Sequence, residues 1–284
     1  MSLKIPKNIP DNFCIAPFVS TRPDVRHKNS PCAYGALDIP QPGLSAKRKW
    51  NSKELNQLRQ DFIDNKQPDV CERCWQEERA GKESLRQRTI SYNPTAYEDL
   101  IVSGKWTDGP MSITFKSSNV CNLACRSCGS HDSNQFDNEG KQYLKEYNTR
   151  GHYIANDRPQ HVSMIDYVPI CDNVKHIEFF GGEPLLNVTQ FELLQHLVEQ
   201  GRSENITLYY NTNATNTPTE RLQELWKAFK SIEISCSIDG IENKFEYLRF
   251  PGKWDICLST LDNLQGMELG IPTRVVGNMT TSIT

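Results

Sequence analysis

The chain has 284 residues, of which 37% are hydrophobic, a composition typical of a globular protein that excludes a disordered chain. Its formal net charge is −3, so the chain lacks the net positive charge by which proteins bind nucleic acid without sequence preference. No run of residues is long and apolar enough for a signal peptide or a membrane span. We therefore expect a cytoplasmic protein whose partner is neither a membrane nor a nucleic acid.

Residues 1–95 form a proline-rich segment with little periodicity, and such a segment needs a cross-link or a metal to hold its fold. The chain has ten cysteines but no export signal, which favours metal binding over disulfides because cytosolic thiols are kept reduced. Four of them, Cys14, Cys32, Cys71 and Cys74, make a complete ligand set. Tetrahedral zinc and a [4Fe–4S] cluster both take four thiolates, and the spacing does not decide between them.

Two helices are predicted within this segment. Residues 50–63 carry apolar side chains in helical spacing, and Asn51 or Ser52 is available as the N-cap. A second, more highly charged helix is predicted over residues 72–88, where the charges form a solvated face.

From about residue 110 onward, short β-rich runs alternate with helical stretches, the pattern of an α/β fold with a parallel sheet. Repetition of this kind closes into a barrel or half-barrel, with the chemistry at the C-terminal ends of the strands. The predicted strands are 111–116, 174–180, 206–211, 232–238 and 273–280, and the predicted helices are 134–147, 189–199, 218–229 and 253–267.

Three cysteines, Cys121, Cys125 and Cys128, lie close together in a loop that follows the first of these strands. Intervals of three and two residues let one loop place thiolates at three corners of an iron–sulfur cubane. The fourth iron then has no protein ligand from this motif. The triad therefore predicts a cluster whose open iron can bind a small molecule.

Polar and glycine-rich residues follow the other predicted strands. Two glycines after the second strand let the backbone approach a ligand closely, and the glutamate after them can accept hydrogen bonds from an ammonium group. The alternative is that these residues, the tetrapeptide GGEP, form only a tight turn. The candidate residues at the strand ends are Gly181, Gly182, Glu183, Pro184, Asn213, Ser235, Ser237 and Asp239.

Together, C-x3-C-x2-C, GGEP, TNAT and S-x-S-I-D-G resemble the radical S-adenosylmethionine (SAM) superfamily over residues 111–284. The resemblance implies a partial (β/α)6 TIM-like barrel that lacks its last unit here, because the chain ends after the fifth predicted strand. It implies a [4Fe–4S] cluster on the triad, with SAM chelating the open iron. The GGEP residues map to the SAM amino group, and the polar residues of the fourth strand map to its ribose and methionyl part. Arg249 maps to an arginine that pairs with the SAM carboxylate.

The resemblance also implies the reaction. A low-potential donor of the flavodoxin or ferredoxin type reduces the cluster, SAM is cleaved, and a 5′-deoxyadenosyl radical forms. No side-chain acid or base is needed for that step, so we assign no catalytic residue, and His131 and Asp132 are assigned to the loop. One departure is Ser127, because the family often has an aromatic residue there, against the adenine.

The N-terminal pieces FCIAPF, PCAYG and CERCW resemble SPASM or twitch domains, as does the E-x-x-x-G-x-x-S-x-R pattern at Glu77, Gly81, Ser84 and Arg86. Those domains bind auxiliary clusters in radical SAM enzymes, although they usually follow the barrel. The resemblance favours a second [4Fe–4S] cluster over zinc, and it implies a peptide or protein substrate. The alternative is a non-catalytic iron–sulfur electron-transfer or metal-binding module.

Overall fold

The structure is a computed structural model of the chain, and it describes residues 9–24, 29–35, 37, 44–92, 109–116, 118–137, 141–142 and 162–280. Contacts between residues divide the chain into two compact units. The two domains predicted from the sequence, residues 1–95 and 110–284, are not tested by this division and remain a prediction. The first unit comprises Met1–Pro23, His27–Thr114 and Asp166–Val174, and the second comprises Asp24–Arg26, Phe115–Ile165 and Lys175–Thr284.

The described residues contain a sheet of seven strands. All five strands predicted after residue 110 are present, with ends that differ from the prediction by at most two residues. The strands are β1 (Ser20–Pro23), β2 (Asn29–Ser30), β3 (Ser112–Lys116), β4 (His176–Phe180), β5 (Thr207–Thr212), β6 (Ser231–Ser237) and β7 (Thr273–Asn278).

The strand order is β2-β1-β3-β4-β5-β6-β7. Strand β2 pairs antiparallel with β1, and the other six strands form the parallel sheet expected of a partial barrel. The small irregular Cys-rich domain predicted before the barrel stays a prediction, and the sequence did not predict β1, which pairs in parallel with β3 through Ser20 and Thr21. Half-buried and buried residues alternate along β1, but four residues beside several prolines are too short a signal to stand out in the sequence.

The helices of the second unit confirm the predictions near residues 189–199, 218–229 and 253–267. The helix predicted at 134–147 is a 3₁₀ turn at Asn134–Phe136, and much of the rest lies outside the described residues. Within the described part of the chain, no helix is long and apolar enough to cross a membrane. The helices are α1 (Ala16–Val19), α2 (Ala46–Trp50), α3 (Lys53–Ile63), α4 (Glu72–Arg79), α5 (Leu85–Tyr92), α6 (Gln190–Glu199), α7 (Glu220–Trp226), α8 (Glu242–Leu248) and α9 (Trp254–Gln265).

The helix predicted over residues 50–63 is present as α3, whereas the helix predicted over residues 72–88 is divided into α4 and α5. Ser52 caps α3 by accepting a hydrogen bond from the Leu55 N–H at 3.2 Å, as predicted. The single helix predicted over 72–88 is wrong, because Gly81 adopts φ +71° and ends α4 in the left-handed conformation. Ser84 then begins α5, with its Oγ accepting from the Gln87 N–H at 3.2 Å.

An aromatic cluster fixes the strands of the second unit beneath their helices. The Tyr210 ring on β5 stacks on Phe179 of β4, with centroids 4.6 Å apart. Trp226 Nε1 donates to the Tyr210 hydroxyl at 3.0 Å, and that hydroxyl donates to Gln190 Oε1 at 2.6 Å. Burying Phe179 alone contributes about 1.5–3 kcal/mol. This packing holds the C-terminal ends of β4 and β5 in place, where the candidate site residues lie.

Candidate functional site

The cysteine triad lies on the loop after β3, and this loop is bonded to the chain that ends α8. The N–H of Ala124 donates to the Phe250 carbonyl at 2.6 Å. Two residues further on, the N–H of Arg126 donates to the Leu248 carbonyl at 2.8 Å. The main chain between Cys121 and Cys128 is therefore held by fixed partners.

The three thiols of the triad differ in exposure and in their donors. Cys121 and Cys125 are buried, whereas Cys128 is exposed. The Sγ of Cys121 accepts hydrogen bonds from the Leu123 N–H at 3.4 Å and from Asn213 Nδ2 at 3.8 Å. Donors of this kind stabilise a metal-bound thiolate and tune the potential of an iron–sulfur cluster.

The thiols of Cys125 and Cys128 share a hydrogen bond, which raises the pKa of Cys125 and lowers the pKa of Cys128. A hydrogen bond from Ser127 also lowers the pKa of Cys128. Arg249 contributes a further donor, because its Nη1 lies 3.9 Å from the Cys125 sulfur.

Glu183 is 1% exposed, and its carboxylate joins the turn after β4 to the end of β5. Its Oε1 accepts from the Leu185 N–H at 3.1 Å and from Thr212 Oγ1 at 2.7 Å. Its Oε2 accepts from the Asn213 N–H at 2.8 Å. Burial raises the pKa of Glu183, and these donors oppose that shift. A carboxylate offers about four acceptor positions, so one remains for a ligand.

Gly181 and Gly182 have φ values of +81° and +60°, which favour glycine. A Cβ on Gly181 would lie 2.4 Å from Lys116 Cγ, and one on Gly182 would lie 2.4 Å from the Val120 carbonyl oxygen. Both glycines are therefore required by packing against β3 and the cysteine loop, a reason that differs from the predicted approach to a ligand. Pro184 follows as the first residue of a short 3₁₀ turn.

Asn213 is the centre of a polar network after β5. Its Nδ2 donates to Asn122 Oδ1 at 2.9 Å, and its Oδ1 accepts from the Thr215 N–H at 2.9 Å. Asn122 in turn donates to Thr215 Oγ1 at 2.9 Å. Asn122 was not predicted, although its place directly after Cys121 is the signal that could have identified it. The network connects the first cysteine to the loop after β5.

Arg249 lies beside the triad, and it pairs with Asp239. Its Nη2 is 2.5 Å from Asp239 Oδ2, and the two side chains are 12% and 9% exposed. Its Nε is buried and has no hydrogen-bond partner among the described residues. Arg249 therefore presents both a charge and an unused donor next to Cys125.

The serines of β6 lie at the same end of the sheet. Ser235 is buried, and its hydroxyl contacts Asn278 Nδ2. Ser237 donates to Asn211 Oδ1 at 3.1 Å. Each serine therefore contacts a neighbouring strand.

Lys116, the last residue of β3, was not predicted as part of the site. Its Nζ lies 2.5 Å from Asp132 Oδ1, and its side chain is 11% exposed. The pair ties the end of β3 to the residues that follow the triad, so Asp132 is a loop residue, as expected. A lysine at the end of an apolar strand is the signal that could have identified it.

The four N-terminal cysteines lie together in the first unit. Cys14, Cys32, Cys71 and Cys74 line one pocket. Burial raises the pKa of Cys14, and it raises the pKa of Cys71 to about 12, with the Cys32 charge adding to both shifts. The Sγ of Cys32 accepts a hydrogen bond from the Gly35 N–H at 3.2 Å.

No group of three Cys, His, Asp or Glu side chains within the described ranges is arranged to hold a metal ion. A tetrahedral zinc ion, with Zn–S bonds of about 2.3 Å, needs its thiolates within roughly 4 Å of one another. A cubane binds each thiolate at a separate iron and accepts a wider arrangement. The pocket brings the four thiols together, and either kind of centre would use them as ligands.

The family of the chain follows from a comparison with family models. The model of the radical SAM superfamily matches residues 115–281, more than half of the chain. The chain belongs to the radical SAM superfamily. Membership of this family implies a [4Fe–4S] cluster and SAM as cofactors. The donor set fits these cofactors, since three thiols share one loop and the buried Nε of Arg249 has no partner among the described residues.

The chain also resembles individual proteins, one by sequence and two by structure. An uncharacterised protein of Methanocaldococcus jannaschii is 31% identical over 185 residues, which are 62% of this chain and 54% of that protein. SuiB of Streptococcus suis, in a crystal structure bound to its precursor peptide SuiA, is 17% identical with a TM-score of 0.40, covering 72% of this chain and 45% of SuiB. Native anSMEcpe with bound AdoMet is 18% identical with a TM-score of 0.34, covering 58% of this chain and 42% of that one. The radical SAM chain thus spans about half the length of these relatives.

Proposed function

We propose that this radical SAM enzyme holds a [4Fe–4S] cluster on Cys121, Cys125 and Cys128 and cleaves SAM there to modify a peptide or protein. The observation that carries the proposal is the convergence of the three thiols on one anchored loop, with N–H donors aimed at two of their sulfurs. When bound, the reduced cluster supplies the electron that cleaves SAM to methionine and a 5′-deoxyadenosyl radical.

The chain's own residues bind and orient SAM in this proposal. Arg249 takes the SAM carboxylate, because its charge and its unpartnered Nε lie beside Cys125. Gly181, Gly182 and Glu183 bind the SAM ammonium group, for which Glu183 keeps an acceptor position.

The ribose and methionyl part of SAM would then lie against the end of β6. Ser235, Ser237 and Asp239 are the residues proposed to hold it. Asp239 pairs with Arg249, the residue proposed for the SAM carboxylate. Ser237 bonds to Asn211 on the neighbouring strand β5. This placement supports a single binding face for SAM at the ends of β4, β5 and β6.

We further propose a second [4Fe–4S] cluster on Cys14, Cys32, Cys71 and Cys74. The shared pocket supports a metal centre there, and the resemblance of this segment to SPASM and twitch domains favours a cluster over zinc. The resemblance of this segment to SPASM and twitch domains supports a peptide or protein as the substrate. A flavodoxin- or ferredoxin-type donor would supply the electrons.

Anaerobic reconstitution with iron and sulfide tests both clusters. We expect about eight irons per chain, and 5′-deoxyadenosine from SAM with dithionite as the reductant. Replacing Cys121, Cys125 and Cys128 together by alanine should abolish SAM cleavage and leave about four irons, whereas the control Cys171→Ala keeps both. Bound iron without 5′-deoxyadenosine would favour the non-catalytic module, and zinc without iron would contradict both clusters.

The substrate class needs a separate experiment. The reconstituted enzyme is incubated with SAM and either the peptide or the small-molecule fraction of cells grown in deuterated medium. A hydrogen taken from the substrate labels the 5′-deoxyadenosine, which mass spectrometry detects. Label from the peptide fraction is the expected result, and label from the small-molecule fraction alone would contradict a peptide substrate.

A further inference from the structure

Arg86, at the second position of α5, is connected to the segments that carry three of the four N-terminal cysteines. Its guanidinium binds Glu78 of α4, the helix that carries Cys74. Its guanidinium reaches the residues just before Cys14, with Nη1 donating to the Asp11 carbonyl at 3.0 Å and to the Phe13 carbonyl at 2.7 Å. One residue therefore holds two ligand segments that lie far apart in the sequence.

The rest of the guanidinium is bound to α4. Its Nε donates to Glu78 Oε1 at 2.9 Å, and its Nη2 donates to Glu78 Oε2 at 2.6 Å. This is a bidentate pair, the strongest arrangement available to an arginine and a carboxylate. The guanidinium carbon also lies 5.0 Å from the centre of the Trp75 ring, next to Cys74. Arg86 is 5% exposed, so the charge acts in a weakly screened environment.

The partner of Arg86 lies next to the glutamate of the sequence pattern. Glu78, and not Glu77, binds Arg86 and accepts from Ser84 Oγ at 2.5 Å. Glu77 instead pairs with Arg73 at 3.5 Å on the surface of α4. The motif therefore encodes a buried network of serine, arginine and glutamate at the wall of the cysteine pocket.

We propose that Arg86 is the positioning residue of the four-cysteine pocket and that the Arg86–Glu78 pair sets the reduction potential of the group bound there. The inference rests on the second site of the proposed function. The guanidinium joins the Phe13 carbonyl, directly before Cys14, to Glu78 on the helix that carries Cys74, so it fixes the spacing of these two ligand segments. Groups that orient ligands in this way typically change metal affinity by roughly 10- to 100-fold when removed.

The test uses the 284-residue chain with Cys121, Cys125 and Cys128 replaced by alanine. The bound metal and its reduction potential then belong to the N-terminal pocket alone. Into this parent are placed Arg86→Met, Arg86→Lys and Glu78→Gln. The matched control is Arg79→Gln, because Arg79 pairs with Glu72 on the exposed face of the same helix region. Circular dichroism checks that each variant is folded.

The first readout is retention of metal against a chelator, measured after reconstitution. Arg86→Met should retain metal roughly 10- to 100-fold more weakly than the parent, and Arg79→Gln should match the parent. Arg86→Lys should also lose affinity, because an ammonium group cannot hold Glu78 and two carbonyls at once. Parent-like retention in both Arg86 variants would overturn the positioning role, whether the bound metal is iron or zinc.

The second readout is the reduction potential, followed spectroscopically during a redox titration. Arg86→Met leaves Glu78 unpaired near the cluster and should lower the potential, whereas Glu78→Gln leaves Arg86 uncompensated and should raise it. A purely structural role would not shift the potential in opposite directions, so shifts of one sign, or none, overturn the electrostatic part. A parent that binds no metal at all would overturn the second site itself, and the triad activity of the unmodified chain would be unaffected by that result.

Discussion

Among glycine-to-alanine substitutions at the turns of the second unit, we expect Gly182→Ala to disturb the cysteine loop most. A Cβ at this position would lie 2.4 Å from the Val120 carbonyl oxygen and 3.0 Å from that of Ser118. Both atoms belong to the backbone that leads into Cys121, so they cannot move away as a flexible side chain could. The backbone of residue 182 has φ +60°, which adds strain for any residue with a Cβ.

A control substitution in the same unit separates the two contributions to the loss of stability, left-handed backbone and overpacking. Left-handed backbone costs alanine about 1–2 kcal/mol, and overpacking adds about 1–3 kcal/mol. Gly201 has φ +65° but no atom within 4 Å of an added Cβ, so Gly201→Ala carries the backbone cost alone. We therefore expect Gly182→Ala to lower the free energy of unfolding by about 1–3 kcal/mol more than Gly201→Ala does.

Urea denaturation of the two variants measures this difference, and iron analysis after reconstitution measures its effect on the triad. Gly182→Ala should lose stability and iron at the triad, whereas Gly201→Ala should keep its iron. Equal unfolding free energies for the two variants, with full iron in both, would refute the steric argument.

Three other substitutions test the site. Glu183→Gln places an NH₂ group against a backbone N–H whichever oxygen it replaces, and should cost about 1–3 kcal/mol by urea denaturation; a cost equal to that of Glu199→Gln, on the surface, would contradict the network. Arg249→Met should raise the dissociation constant of SAM roughly 10- to 100-fold through loss of a charged hydrogen bond, and calorimetry showing unchanged affinity would exclude its role. Asn213→Asp removes the donor to Cys121 and adds negative charge, so it should lower the reduction potential of the triad cluster; an unchanged potential, as expected for Asn263→Asp on α9, would refute this.

The sequence predicted the second unit well because its strands alternate with helices over long stretches. Strand ends also carry the chemistry in a parallel fold, so the triad and the GGEP turn could be predicted to lie at one edge from their order along the chain, whereas Arg249 was proposed from the family resemblance. The contacts of Glu183 could not be predicted, since they depend on how β4 and β5 lie side by side. Spacing alone likewise gave no indication that the two glycines are packed against Lys116 and Val120.

The N-terminal segment was harder to predict for a different reason. Its strand β1 and its divided helices are short, and short elements carry little periodic signal. The choice between Glu77 and Glu78 depended on which face of α4 is buried, a matter decided by Trp75 and Arg86. Four cysteines in one pocket followed from counting ligands, whereas the residue that holds them in place emerged only from the hydrogen bonds of the folded chain.

The central claim is that the triad holds a cluster with one iron open to SAM. It is tested most directly by electron paramagnetic resonance of the reduced cluster in a chain whose Cys71 and Cys74 are replaced by alanine, recorded with and without SAM. Our account predicts a signal that SAM changes and that the further substitution Cys125→Ala abolishes. A reduced cluster whose spectrum is the same with and without SAM would contradict it.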